Sequence, residues 1–335
     1  MDRRKFLTAA CAVASASALG IPRTALAGGP TVLRVATVAP KGSSWMRVYN
    51  AWNNSLQKRT QGRLKLQFFS GGAAGDERDA VRKMRAGQID GAAITTMGLG
   101  QIVRSALVLQ APGVCYTYRR IDAVRSQLAS EFTREFDAAG FTLLGWNDAG
   151  QTRLFSNQPI HTPADMRQTR MWAWRDDPTW QSVLQAAKVN GVALGLHEVY
   201  PGLRTKRIDA FPGTAIAAVA FQWYTKASHV TKEPRGIVIG ATVMKKSKVD
   251  ALPGDLKAAL LETSTAAHKA LAKVIRQDDD RAFNAILKRG VQAVSVAANT
   301  GAWDTVLKQA RNSLVGKLYP ASLLKRVEQV AKAAG

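Results

Sequence analysis

Two separate stretches of the chain run through the same order of elements, and that recurrence restricts the possible folds more than any other feature. In the first, residues 32–38 form an apolar strand pattern broken by Pro40 and Gly42. Ser43 and Ser44 then cap a helix that carries Trp45, Val48, Trp52 and Leu56 at helical spacing. Residues 64–69 alternate as a strand does, Gly71, Gly72 and Gly75 make a loop, 76–86 read as a helix and 89–94 as a third strand. The second stretch repeats the plan: strand 171–174, helix from Asp176-Asp177-Pro178 to about 188, strand 191–196, helix 197–205 and strand 208–211. Even the junctions echo, with Gln88-Ile89-Asp90 matched by Arg207-Ile208-Asp209. A β-α-β-α-β order builds parallel strands with helices on their faces. The expectation is an α/β protein of two lobes, each with a parallel-rich mixed sheet.

The rest of the chain supplies connections. Residues 141–146 and 153–156 are strand-like and cross from the first lobe to the second, and 236–244 return. From Pro253-Gly254-Asp255 a helical pattern continues to about 289, which at 1.5 Å per residue is about 50 Å, long enough to cross both lobes. A late strand at 291–296 and helices at 303–317 and 321–332 follow. The expected division is 31–153 plus 237–253 for lobe one, 154–236 plus 291–298 for lobe two, 254–289 for the crossing helix and 302–335 for the C-terminal helices. Open parallel sheets bind ligands beyond the carboxyl ends of their strands, so two facing lobes enclose a solute between them.

Residues 1–27 read as an export address. A basic start, an apolar run of small residues from 9 to 21 and Ala25-Leu26-Ala27 have the form of a cleaved signal. Arg3-Arg4 followed by Phe6-Leu7 resembles the twin-arginine signal, the alternative being a general secretory signal. The expected destination is the periplasm. Cleavage there removes Cys11 and leaves Cys115 as the lone cysteine, so no internal disulfide is expected. The formal net charge of the whole chain is +23, of which +3 lies in residues 1–27.

An ordered set of short motifs carries a resemblance over residues 31–330. It comprises Ala39-Pro40 with Gly42-Ser43, Thr60-Gln61-Gly62-Arg63-Leu64-Lys65, Gly75-Asp76-Glu77, Arg85-Ala86-Gly87-Gln88-Ile89-Asp90, Pro159-Ile160-His161-Thr162-Pro163-Ala164-Asp165-Met166 and Glu198-Val199-Tyr200-Pro201-Gly202-Leu203. With these the sequence resembles the DctP-type substrate-binding subunits of tripartite ATP-independent periplasmic (TRAP) transporters. The resemblance implies reversible capture of a small organic solute and delivery to the small and large membrane subunits, driven by an ion gradient. It also implies an arginine in the strand after Pro-Ala-Asp that clamps a carboxylate. In this sequence that column holds Trp172, whose indole offers one donor and no charge. Some relatives with this tryptophan are associated with a further periplasmic protein built of helical repeats, which brings such a partner into view.

The expected solute is therefore more apolar than a simple dicarboxylate. Trp172, Trp174, Phe211 and Trp45 are candidates for an aromatic box, and the resemblance implies one surviving cationic contact, since Arg153 in the connecting strand matches another arginine often found near the ligand in the family. Thr214, Thr96, Met97 and Ser43 complete the candidate ligand residues. Trp172 and Trp174 share one face of their strand, and whether that face looks into the cleft or the core stays open at this level. A carboxylate-binding subunit that relies on Arg153 is the alternative.

Other classes fit poorly. His161, His197, His229 and His268 lack metal-ligand spacing, no nucleophile elbow or phosphate loop occurs, and Gly98-Leu99-Gly100 lacks the third glycine of a dinucleotide fingerprint. No enzyme activity, metal or cofactor is expected. A basic exported protein that binds membrane surfaces or nucleic acid is the remote rival. Lys and Arg are dispersed along the chain, with no arginine-rich arm and no stacking aromatics beside them, so nucleic acid is not an expected partner.

Overall fold

A computed structural model describes residues 29–335, so the expected export signal lies outside the described residues. Among the described residues there are ten strands: β1 Thr31–Thr37, β2 Leu64–Phe69, β3 Gly91–Thr95, β4 Phe141–Ser156, β5 Trp172–Trp174, β6 Val192–Leu194, β7 Ala210–Thr214, β8 His229–Thr231, β9 Gly236–Lys245 and β10 Gln292–Val294. In the first lobe β2, β1 and β3 are parallel neighbours and β3 pairs antiparallel with β9. The second lobe has the same plan. There β6 and β5 are parallel, Met171 bridges to Ala210 in parallel sense, and β7 pairs antiparallel with β4. Beyond β4 lie β8 and β10.

The repeat extends to side chains. Arg34, in β1, donates its backbone N–H (2.8 Å) and Nε (3.1 Å) to Asp90 just before β3. Arg170, just before β5, does the same to Asp209 just before β7, at 2.7 and 2.9 Å. Each aspartate thus ties the first strand of its lobe to the third.

The sheets of the two lobes are continuous. β4 and β9 pair antiparallel from Phe141↔Lys245 to Thr152↔Gly236, with irregularities at Leu143/Gly145 and Asp148/Gly150. Residues 141–146 and 153–156 are therefore one strand. The turn-like Asn147-Asp148-Ala149-Gly150 between them stays in the ladder, because Asp148 is fully buried against Arg125 (2.8 Å) and Arg276 (2.7 Å). Gly150, at φ +107°, takes a conformation that a side chain resists. The helix Tyr118–Ala138, absent from the sequence reading, packs beneath this crossing and supplies Arg125.

The long helix Gly254–Lys288 packs on helix Ser44–Arg59 of the first lobe, on β4 and on helix Ala215–Ala220 of the second. Its buried residues, from Leu256 and Leu260 through Leu271 and Ile275 to Ile286, recur at three- and four-residue intervals. The C-terminal helices make a second bridge. Thr300–Ser313 packs on helix Pro178–Ala186 of the second lobe, and Ala321–Ala333 packs on Tyr118–Ala138. No described helix is long and apolar enough to cross a membrane.

Candidate functional site

A cavity of about 260 Å³ lies between the lobes, at the carboxyl ends of β1, β3, β5 and β7. Helical periodicity explains its first wall. Trp45, Tyr49, Trp52 and Leu56 form one buried stripe of helix Ser44–Arg59. The first two face the cavity, whereas Trp52 donates to Thr263 Oγ1 of the long helix at 3.1 Å. Trp45 Nε1 donates to the Asp148 carbonyl at 3.2 Å. Met97 follows β3 and joins this wall beside Glu77. The Glu77 carboxyl accepts from Thr95 N (2.8 Å), Thr95 Oγ1 (2.8 Å) and Gly98 N (2.9 Å). Burial outweighs these bonds and pushes it up to about 7.

The second wall is indole. Alternation along β5 puts Trp172 and Trp174 side by side, stacked at 6.1 Å. Trp172 lines the cavity and is also 4% exposed, packed into the lobe core with its Nε1 donating to the Leu194 carbonyl at 3.1 Å. The edge of Trp223 meets it at 5.3 Å, and Trp180 Nε1 donates to its carbonyl. With Trp303 from the C-terminal bridge, six of the eight tryptophans line this one cavity: Trp45, Trp172, Trp174, Trp180, Trp223 and Trp303.

Two arginines supply positive charge. Arg153 of β4 is 6% exposed, donates to the Lys232 carbonyl and to Gln151 Oε1 (3.2 Å), and sits 4.0 Å over the Phe283 ring. Burial lowers its pKa while Asp279 opposes that shift. Arg235, next to it across the β4–β9 ladder, donates to Thr300 Oγ1 at 3.2 Å. The Nε of each arginine and Thr179 Oγ1 are buried with no partner among the described residues, and all three residues line the cavity.

Of the expected site residues, Trp172, Trp174, Arg153, Thr214, Met97 and Trp45 stand in the lining. Three do not. Phe211 is fully buried and stacked on Phe155 at 4.9 Å, behind Trp223, because alternation turns it to the core. Thr96 is fully buried at the start of a short helix, outside the lining. Ser43 caps helix Ser44–Arg59, accepting from Met46 N, also outside the lining. The sequence reading missed Tyr49, which lies one turn after Trp45 and was legible from that spacing. It also missed Arg235, Trp223 and Trp303, which only the tertiary arrangement brings here. Among the described residues no group of three or more His, Cys, Asp or Glu is placed to hold a metal ion.

The profile of DctP, the bacterial extracellular solute-binding proteins of family 7, matches residues 35–316. The 2,3-diketo-L-gulonate-binding periplasmic protein YiaO of Escherichia coli is 24% identical over 294 residues, covering 83% of this chain and 86% of its own. The C4-dicarboxylate-binding periplasmic protein DctP of Rhodobacter capsulatus is 19% identical over 315 residues, 92% of each. Among solved structures, the sugar acid binding protein of Advenella mimigardefordensis in complex with galactonate superposes with a TM-score of 0.85 at 16% identity, over 92% of this chain and 99% of that one.

Proposed function

The chain belongs to family 7 of the bacterial extracellular solute-binding proteins, the DctP family, and on that premise we propose that its interlobe cavity takes a small organic acid with an apolar body. The observation that carries this reading is the lining itself: six indoles, with Trp172 in the strand where the resemblance implies a carboxylate-clamping arginine. Indole gives large contact area with few rotamers to order, which favours flat or branched apolar groups over hydroxyl-rich ones. The relatives named for diketogulonate, dicarboxylates and galactonate share a carboxylate, so an acid group is retained in the proposal. Its partners are Arg153 and Arg235, whose buried Nε–H groups await an acceptor. A buried donor left unpaired is costly, and an anion removes that cost.

In this reading the chain performs no chemistry. The lobes open, a solute enters, and contacts made only in the closed form shift the population toward closure. Export with loss of residues 1–27, by the twin-arginine route, places the protein in the periplasm. There the closed form docks on the small and large membrane subunits of a TRAP transporter, and a helical-repeat protein is a further candidate partner for the Trp172 subgroup.

A second reading keeps the chemistry of the named relatives: a dicarboxylate or sugar acid anchored on Arg153. Against it, Nη1 and Nη2 of Arg153 already donate to the Lys232 carbonyl and to Gln151 Oε1, so a two-bond carboxylate clamp would compete with bonds made within the protein. Titration calorimetry with phenylacetate, 4-methylpentanoate, succinate and galactonate separates the two. The expected result is preference for the first pair, with Trp172→Ala weakening them roughly tenfold or more, as loss of a buried aromatic contact implies. Tight binding of succinate or galactonate that survives Trp172→Ala and is lost in Arg153→Ala would establish the second reading instead.

A further inference from the structure

At the rim of the cavity the loop before helix Glu77–Arg85 of the first lobe touches the second lobe. Asp76 is the N-cap of that helix, and its Oδ1 accepts from Glu77 N at 2.8 Å. Its other oxygen, Oδ2, points across the gap. It accepts from Trp174 Nε1 at 2.9 Å and lies 3.4 Å from Leu196 N. Two residues along, Arg78 meets Asp176 at 2.9 Å. On the other side of Asp76, Gly72 lies so close to the imidazole of His197 that a methyl group at this position would clash. These contacts join residues far apart in sequence and cross from one lobe to the other.

We infer that the Trp174–Asp76 bond is a closure latch, with Trp174 as a positioning residue that also forms a wall of the cavity. The two roles use different parts of one side chain. The ring lines the cavity and stacks on Trp172, while the N–H reaches the opposite lobe. A hydrogen bond to a carboxylate is stronger than a neutral one. Asp76 needs no reorganisation to make it, since capping its own helix already fixes the carboxylate. A solute packed against the Trp174 ring restricts the rotamers that would otherwise swing the N–H away, so part of the ordering cost of closure is met before the lobes meet. The exposed Arg78–Asp176 pair adds little energy by itself and serves to align the rims.

The test uses the full mature chain stripped of solute, with Arg78→Cys and Asp176→Cys introduced as a rim pair; the native Cys115 is buried. The initial rate of cross-linking by a short bismaleimide reports the fraction of time the lobes spend closed. Trp174→Phe retains a ring and removes only the N–H donor, and it is expected to slow cross-linking about tenfold or more, the effect of losing one charge-assisted hydrogen bond. Asp76→Asn, which still caps the helix, is expected to slow it as well, and adding it to Trp174→Phe should change little further. An unchanged rate in both single variants would overturn the latch, as would fully multiplicative effects in the double variant. Should Trp174→Phe fail to fold, Asp76→Asn alone decides by the same rate. Because no solute is present, this outcome does not depend on which acid the cavity takes.

Discussion

His268, on the long helix, illustrates how a single buried side chain ties charge to stability. Its Nδ1 faces the Ser264 carbonyl at 2.7 Å and its Nε2 faces Thr242 Oγ1 of β9 at 2.8 Å, with Trp52 packed edge-on at 5.5 Å. Burial pushes its pKa down to about 4, so the folded protein keeps it neutral while the unfolded chain titrates near 6.5. The contribution is complete above pH 6.5 and is lost as pH falls toward 4, amounting at most to roughly 3 kcal/mol. Urea unfolding at pH 7 and at pH 4.5 is expected to reveal this loss. In His268→Gln the difference between the two pH values should shrink, whereas an equal difference in both proteins would remove His268 as its source. Residue roles of this kind were partly legible in sequence. Strand alternation put Trp172 beside Trp174, whereas the helical spacing from Trp45 to Tyr49, which both line the cavity, went unused. Phe211 was misplaced because alternation says which residues share a face, without saying which face meets the cavity.

At the scale of elements, one carboxylate of the long helix holds both β4 and a helix of the second lobe. Asp279 accepts from Gln151 N and Ile216 N, both at 2.9 Å, and so links the crossing strand to helix Ala215–Ala220 of the second lobe. Burial pushes this acid up to about 6 against the pull of the two N–H groups. Asp279→Ala leaves two N–H groups without their acceptor and is expected to cost about 2–4 kcal/mol in urea unfolding, with Asp279→Asn costing about half. A loss under 1 kcal/mol for the alanine variant would contradict this accounting. Most elements announced themselves by periodicity, including the repeated β-α-β-α-β units and the uninterrupted helix Gly254–Lys288. β4 did not, because Asn147-Asp148-Ala149-Gly150 has the local chemistry of a turn. It stays extended through the buried pairing of Asp148 with Arg125 and Arg276, from two other helices. β8, only three residues long, had no pattern to read.

For the whole molecule, two lobes of one design share β4 and β9, and the long helix and the C-terminal helices span them. In the proposed capture cycle, closure moves the two lobes about a few strand residues, and the cavity is the space they share. That plan was visible in the order of elements, since two copies of one unit with crossing strands leave few other arrangements. The full chemistry of the cavity was not visible, because Arg235, Trp223 and Trp303 arrive from segments with no sequence signal linking them to β5. The aromatic space between the lobes is proposed to hold an organic acid with an apolar body. The most direct test is native mass spectrometry of the mature protein purified from its own periplasm, followed by denaturing release and identification of any bound molecule. The expected result is an acid with an apolar body that is retained by the native protein and lost in Trp172→Ala. A hydroxyl-rich sugar acid or a simple dicarboxylate, retained in Trp172→Ala and lost in Arg153→Ala, would contradict it.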